Sequence, residues 1–166
     1  MIDLATKAGA RAAARLRDEL ILWLTTVTAA GQPQASPVWF LWTDDEILLY
    51  SRADTPRPAN IRANPRVAAN LDSDGEGGDV VSIEGEARIA CEQAAEADVP
   101  PAYVEKYAAQ VAANGWTMAS FLVDYPVEIR IRPTRVRGLV GVRPGTGPPG
   151  PWSRIGAAAG HCAPAA

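Results

Sequence analysis

The sequence has few of the residues that metal sites and histidine-based catalysis require. Its 166 residues include one histidine, His161, and two cysteines, Cys91 and Cys162, which lie far apart in the sequence. This spacing matches no zinc motif, and a catalytic Ser-His or Cys-His pair would have to use a histidine that is the sixth residue from the end. An enzyme of this composition is therefore expected to use a bound organic cofactor, to which the protein contributes position and electrostatics.

Two further absences limit the partners that we expect. No apolar run approaches the roughly 18 residues that a membrane-spanning helix needs, and residues 1–20 lack the apolar segment of a secretory signal. The net charge of −3 gives no global reason to expect nucleic-acid binding. We therefore expect a cytoplasmic protein that binds neither nucleic acid nor a membrane.

The hydrophobic pattern predicts a mainly β chain with some α-helix. Runs of apolar and β-branched residues predict strands at 20–28, 33–42, 46–51, 66–72, 80–90 and 126–133. Helical spacing predicts helices at 4–17, 55–64 and 117–123, and a helical pattern within 92–124. Most of the strands are joined by turns too short for a crossover, so we expect an antiparallel barrel or sandwich with short helices attached.

Two regions differ from this core pattern. Within 92–124, an apolar stripe at helical spacing is predicted to face the core, through Val104, Tyr107, Ala108 and Val111. After residue 142 the composition shifts to Gly, Pro and Ala, with little to bury. We therefore predict one folded domain over 1–142 and a disordered tail over 143–166.

The segment 50–62 combines features of an anion site. A strand ends at Ser51 and Arg52, and a helix begins near Thr55, which is expected to cap it, with Arg57 in its first turn. Hydroxyl donors, arginines and unpaired first-turn N–H groups together suit a phosphate. On local grounds alone, a capped surface helix with solvated arginines explains the same residues.

A second segment, 36–42, is strongly apolar. Its sequence, SPVWFLW, is typical of a strand that is buried on both faces or that meets a partner. The backbone of such a strand can also lie along a flat aromatic ligand. Core packing with a dimer contact is the simpler interpretation of this segment taken by itself.

The order of these blocks resembles that of a known superfamily. The stretches LTTVTAAGQPQASPVWFLW, EILLYSRADTPRPANIRANPRVAANLD and VVSIEGEARI resemble the split β-barrel flavin and deazaflavin superfamily, which includes pyridoxamine 5′-phosphate oxidase-like proteins. Within it, the chain looks most like actinobacterial reductases that use the deazaflavin coenzyme F420. The resemblance covers about residues 12–138 and implies a six-stranded antiparallel split β-barrel with short flanking helices.

The resemblance also implies a cofactor site, with F420 as the cofactor and FMN as the alternative. The ring would lie along 37–40, and the phosphate portion near the end of one strand and the start of the short helix. The implied cofactor-binding residues are Pro37, Val38, Trp39, Phe40, Ser51, Arg52, Thr55, Arg57, Asn60 and Arg62. The acidic tail of F420 calls for extra cations, and the resemblance implies a basic track of Arg52, Arg57 and Arg62 that supplies them.

Assembly and activity follow from the same resemblance. The site would lie at the interface of a homodimer, with Trp116, Tyr125 and Arg130 contributed by the second subunit. The implied activity is hydride transfer from the reduced deazaflavin to a small electron-poor acceptor, with no catalytic side chain assigned. Three alternatives remain at this stage: an FMN-dependent oxidase or reductase, a non-catalytic flavin- or haem-binding carrier or sensor, and a cofactor-free structural dimer.

Overall fold

A computed structural model describes residues 6–43, 45–75 and 78–139. The predicted tail over 143–166, the domain boundary at 142, His161 and Cys162 lie outside this range. The described residues form seven strands: β1 (Ile21–Val27), β2 (Pro33–Trp39), β3 (Leu41–Thr43), β4 (Glu46–Ser51), β5 (Arg66–Asn70), β6 (Val80–Cys91) and β7 (Val127–Leu139). Four α-helices accompany them: α1 (Lys7–Asp18), α2 (Pro56–Ala63), α3 (Pro101–Ala113) and α4 (Met118–Asp124).

The strands form one antiparallel sheet in the order β2-β1-β5-β6-β7-β4-β3. Its two edge strands, β2 and β3, follow each other in the sequence with only Phe40 between them. A single residue cannot cross a flat seven-stranded sheet, so the sheet must curl until its edges meet. This confirms the predicted split barrel.

The strand count differs from the predicted six because the expected strand at 33–42 is broken. Phe40 lies outside both β2 and β3, and it is fully buried. Its backbone N–H donates to the Tyr107 hydroxyl at 2.7 Å, and that hydroxyl donates to the Phe40 carbonyl or the Leu20 carbonyl, each at 2.8 Å. A side chain from α3 thus replaces a strand partner at the break, which an apolar run in the sequence does not reveal.

The barrel interior holds the larger apolar core. The apolar–polar alternation of the sequence across 80–90 matches the burial along β6, with Val81, Ile83 and Ala87 buried and Glu84 and Glu86 exposed. Equivalent positions of the other strands complete this core, together with α1 and Ile61 of α2. The strand periodicity of the sequence therefore identified the buried face correctly.

A second core lies on the outside of the barrel, where α3 and α4 cover β3 and β4. Here the predicted stripe on α3 was partly wrong. Tyr103, Tyr107 and Val111 are buried, whereas Val104 is 38% exposed and Ala108 is also exposed. Tyr103 packs against the aromatic side chains of β4 and α4, so α3 is rotated about its axis relative to the predicted buried face. The segment 92–100 is also not α-helical and contains only a short 3₁₀ turn, Glu96–Asp98.

Candidate cofactor site

A cavity of about 420 Å³ opens where the end of β2 meets the end of β4, the start of α2 and the α3–α4 connection. This volume is within the usual range for small-molecule sites. Its lining combines aromatic, apolar and cationic side chains: Ile21, Pro37, Val38, Trp39, Tyr50, Arg52, Thr55, Arg57, Asn114, Trp116, Phe121 and Tyr125. No carboxylate is among these described lining residues.

One wall of this cavity is aromatic. The Trp39 ring stacks on Tyr107 with a centroid separation of 4.7 Å and on Phe121 at 5.5 Å. Phe121 in turn stacks on Tyr125 at 4.8 Å, and Trp116 is tilted against the same cluster. Because these rings pack against one another, the wall is a fixed apolar surface suited to an aromatic ligand.

Arg57 marks the polar end of the cavity. Its Nη1 donates to Ser51 Oγ at 2.8 Å and its Nη2 to Ser36 Oγ at 2.7 Å. No carboxylate of the described residues pairs with it, and burial lowers the pKa of its guanidinium from the ordinary value. A half-buried arginine held only by neutral hydroxyls retains an uncompensated positive charge, which favours an anionic ligand.

A second, smaller cavity of about 240 Å³ lies on the other side of Arg57. Thr55 and Arg57 line both cavities, and the remaining lining of the second is small or polar: Thr26, Gln34, Ala35, Ser36 and Pro56. Asn60 lies behind this lining, 6% exposed, and its Nδ2 donates to Thr26 Oγ1 and to Gln34 Oε1, each at 3.0 Å. The two cavities thus share one cationic junction.

The structure brings most of the predicted site residues to this place. Six of the ten line the larger cavity: Pro37, Val38, Trp39, Arg52, Thr55 and Arg57. Ser51 is buried and bonds Arg57, Asn60 is buried and bonds the lining of the second cavity, and Phe40 is buried in the barrel core. Arg62 lines neither cavity.

The three arginines of the predicted basic track differ in their partners. Arg52 pairs with Asp54 at 2.8 Å, and Arg62 pairs with Glu92 at 2.6 Å, both on the exposed surface. Arg57 alone of the three has no carboxylate partner among the described residues. The basic track therefore contains one arginine without a carboxylate partner among the described residues and two that are exposed and ion-paired.

The start of α2 also differs from the expectation of several free N–H donors and a Thr55 cap. Pro56 and Pro58 have no N–H group, so Arg57 supplies the only N–H among the first three helical residues. The Thr55 hydroxyl makes no cap hydrogen bond and instead donates to the Arg52 carbonyl at 3.0 Å. The arginine side chain, rather than the helix terminus, is thus the main hydrogen-bond donor to an anion at this place.

The helical region supplies lining residues that the sequence left unassigned or assigned elsewhere. Trp116 and Tyr125, expected from a second subunit, line the cavity of their own chain, and so do Asn114 and Phe121. Arg130 lies away from it and pairs with Glu128 at 2.7 Å. The aromatic residues Trp116, Phe121 and Tyr125 in and beside α4 are visible in the sequence, but nothing there shows which strands they cover.

The family model for pyridoxamine 5′-phosphate oxidase matches residues 9–139, which include both cavities and the whole sheet. The chain belongs to this family. Pyridoxamine 5′-phosphate oxidase-like proteins form a flavin-binding superfamily that includes oxidoreductases. No curated protein matches the chain significantly.

Solved structures share the fold of this family member at low identity. Rv2991, a conserved hypothetical protein from Mycobacterium tuberculosis, has a TM-score of 0.62 and 24% identity, over 81% of this chain and 84% of its own. An F420 reductase has a TM-score of 0.54 and 23% identity, over 75% and 94%. The heme storage protein HutZ from Vibrio cholerae has a TM-score of 0.57 and 16% identity, over 81% and 96%.

The described residues add two observations about ligands and environment. They contain no group of three or more His, Cys, Asp or Glu side chains arranged to hold a metal ion. None of their helices combines the length and apolar character needed to cross a bilayer.

Proposed function

We propose that this family member is an oxidoreductase that uses reduced coenzyme F420 to transfer a hydride to a small electron-poor organic acceptor. The observation that carries the proposal is Arg57, an uncompensated cation placed between an aromatic cavity and a polar one. A flat ring with a phosphate-bearing side chain has the chemistry to occupy this arrangement. The similarity in fold to an F420 reductase supports the choice of cofactor.

The residues of the cavity perform the tasks that such a cofactor requires. When bound, the reduced deazaflavin supplies the hydride. Strand β2 pairs with β1 along one edge, and its other edge has no strand partner among the described residues, so backbone groups of 37–39 are available to a ring. The aromatic wall excludes water, and Arg57 fixes the phosphate end, so the protein contributes orientation and shielding.

FMN is the second candidate, and a specific observation favours it. Arg57 is the one arginine of the predicted track without a carboxylate partner, and FMN needs a grip on a single phosphate. F420 remains the proposal because exposed ion pairs such as Arg52–Asp54 contribute about 0–1 kcal/mol, so an acidic ligand competes for those arginines at low cost. A haem carrier with an axial imidazole would depend on His161, the only histidine of the chain.

Equilibrium titration of the purified protein with F420 and with FMN tests the proposal. Charge-assisted hydrogen bonds contribute about 1.5–3 kcal/mol, so Arg57→Ala is expected to weaken cofactor binding about ten- to a hundredfold. Arg57→Lys should retain most of the affinity because a point charge still reaches a phosphate.

The matched control is Arg66→Ala, which removes an exposed arginine outside both cavities. It should leave both affinities unchanged, and thermal melts of all variants separate binding from folding. Tighter binding of FMN than of F420 by the wild-type protein would replace the proposed cofactor. An Arg57→Ala variant that binds as the wild type does would show that the phosphate lies elsewhere.

A further inference from the structure

The second cavity has hydrogen-bond donors left over once its internal contacts are counted. Asn60 uses its Nδ2 group to donate to Gln34 Oε1 and to Thr26 Oγ1. Since Gln34 accepts through its amide oxygen, both hydrogens of its Nε2 remain for a ligand. Thr26 likewise accepts through Oγ1, so its O–H is left to donate. Asn60 therefore occupies the acceptor oxygens of two lining residues, and the donor groups of both remain available to a ligand.

Ser36 and Arg57 add to this set. Ser36 Oγ accepts from Arg57 Nη2 at 2.7 Å, so the serine O–H is also left to donate. Arg57 contributes its positive charge to both cavities. No carboxylate lines the second cavity among the described residues. A cavity rich in donors, bordered by a cation and free of acidic side chains, selects an anion.

We infer that the second cavity is a further anion subsite, which holds a carboxylate or phosphate in the tail of the cofactor beyond the group at Arg57. This inference rests on the proposed function, because it presumes that the ring occupies the larger cavity. Thr55 and Arg57 line both cavities, so a ligand that fills both passes over the arginine. Gln34 and Ala35 are exposed, which leaves the outer side open for a tail to continue into solvent.

The subsite also bears on cofactor choice. FMN carries one phosphate at the end of its side chain, and a phosphate held at Arg57 leaves the second cavity unused. A deazaflavin with an acidic tail has further anions to place there. Neutral donors in this cavity thus take over part of the task that the sequence assigned to Arg62, which is paired with Glu92 on the surface.

A matched pair of charge changes tests the subsite. Gln34→Glu keeps the size of the side chain and the oxygen that accepts from Asn60, but it replaces the outward donor by a negative charge. Gln32→Glu makes the same change at an exposed glutamine in the preceding turn, outside both cavities. Affinities for F420 with its glutamate tail and for FMN are measured by fluorescence titration, with thermal melts to verify folding.

We expect Gln34→Glu to weaken F420 binding by about tenfold or more, with little change for FMN, and Gln32→Glu to change neither. Equal F420 affinities for the two variants would overturn the subsite while leaving the proposed cofactor intact. Equal weakening of FMN and F420 by Gln34→Glu would also overturn it, because the cavity would then hold the first phosphate. A wild-type protein that binds no deazaflavin contradicts the proposed function itself.

Discussion

At the scale of single residues, surroundings rather than residue type decide which arginines serve the site. Arg52 and Arg57 are five positions apart and both line the larger cavity. The first is exposed and paired with Asp54, whereas the second is half-buried and held by two serine hydroxyls. Composition and spacing predicted a cationic cluster here, but only the hydrogen bonds of Arg57 to Ser36 of β2 and Ser51 of β4 separate the two roles.

Lys106 is a second cation in an unfavourable environment, and it gives a prediction of pH dependence. Its Nζ is buried without a hydrogen-bond partner among the described residues and lies 4.1 Å from the centre of the Phe40 ring. Burial lowers the pKa of Lys106 from 10.5 to about 8, against the opposing effect of Asp18 and Glu19. Between these two pH values the unfolded chain binds more protons than the folded one, so this group makes stability rise with pH.

Replacement by a neutral residue of similar length should remove that dependence. Lys106→Met is expected to raise the melting temperature by a few degrees at pH 7, and its advantage over the wild type should shrink as the pH rises from 8 toward 10.5. Lys7→Met, at the other lysine of the chain and exposed on α1, is the control and should show no such trend. A difference between Lys106→Met and the wild type that stays constant with pH would contradict the assignment.

At the scale of elements, helix α3 positions the strand that forms the cavity wall. Tyr107 stacks against Trp39, and its hydroxyl contacts the N–H and the carbonyl of Phe40 at the break between β2 and β3. One side chain therefore fixes both a wall residue and the path of the backbone next to it. The prediction of a single strand at 33–42 missed this break because its partner lies 67 positions away.

Two tyrosines one turn apart on α3 offer a matched test of this role. Tyr107 and Tyr103 are both fully buried, but the Tyr103 hydroxyl has no partner among the described residues. Tyr107→Phe should cost about 1–3 kcal/mol of unfolding free energy, because it leaves buried backbone groups of Phe40 unpaired, and it should weaken cofactor binding as well. Tyr103→Phe removes an unpaired polar group and should be neutral or stabilising. Chemical denaturation distinguishes them, and equal losses would exclude the proposed role of the Tyr107 hydroxyl.

The same helix shows where sequence periodicity stops being informative. Strand β6 alternates apolar and charged residues, so its buried face was unambiguous. In α3, alanine and valine occur on more than one face, and tyrosine has both an apolar ring and a polar hydroxyl, so the pattern does not define one buried face. The stripe was therefore placed through Val104 instead of Tyr103. Only the aromatic cluster of Tyr50 and Phe121 around Tyr103 determines which face is buried.

At the scale of the whole molecule, barrel closure brings distant segments of one chain into a single cavity. Residues near 37–39, 50–57 and 114–125 line it together. The sequence predicted the first two segments, since strand order and the resemblance both pointed to them. It assigned Trp116 and Tyr125 of the third to a second subunit and left the rest of that segment unassigned, because local patterns do not show that α3 and α4 fold back over β3 and β4 of their own chain.

Assembly is the remaining property at this scale, and we expect a homodimer with the cofactor at its interface. The free edge of β2 carries Pro33 and Pro37, which lack N–H donors, so pairing through this edge is disfavoured. Packing of a helical face is the alternative, and Val123 of α4 is 80% exposed, the most exposed large apolar side chain of the described residues. The contact is therefore expected to involve α4, next to the lining residues Phe121 and Tyr125.

Light scattering at micromolar concentration should give twice the chain mass of 17.6 kDa. Val123→Glu places a charge on the expected contact, so it should shift the protein toward monomer and weaken cofactor binding in parallel, since desolvating an unpaired carboxylate is costly. Ala29→Glu, at an exposed alanine in the β1–β2 turn, makes a comparable change away from α4 and should alter neither property. A wild-type mass of one chain would contradict the dimer, and a Val123→Glu variant that remains dimeric would move the interface away from α4.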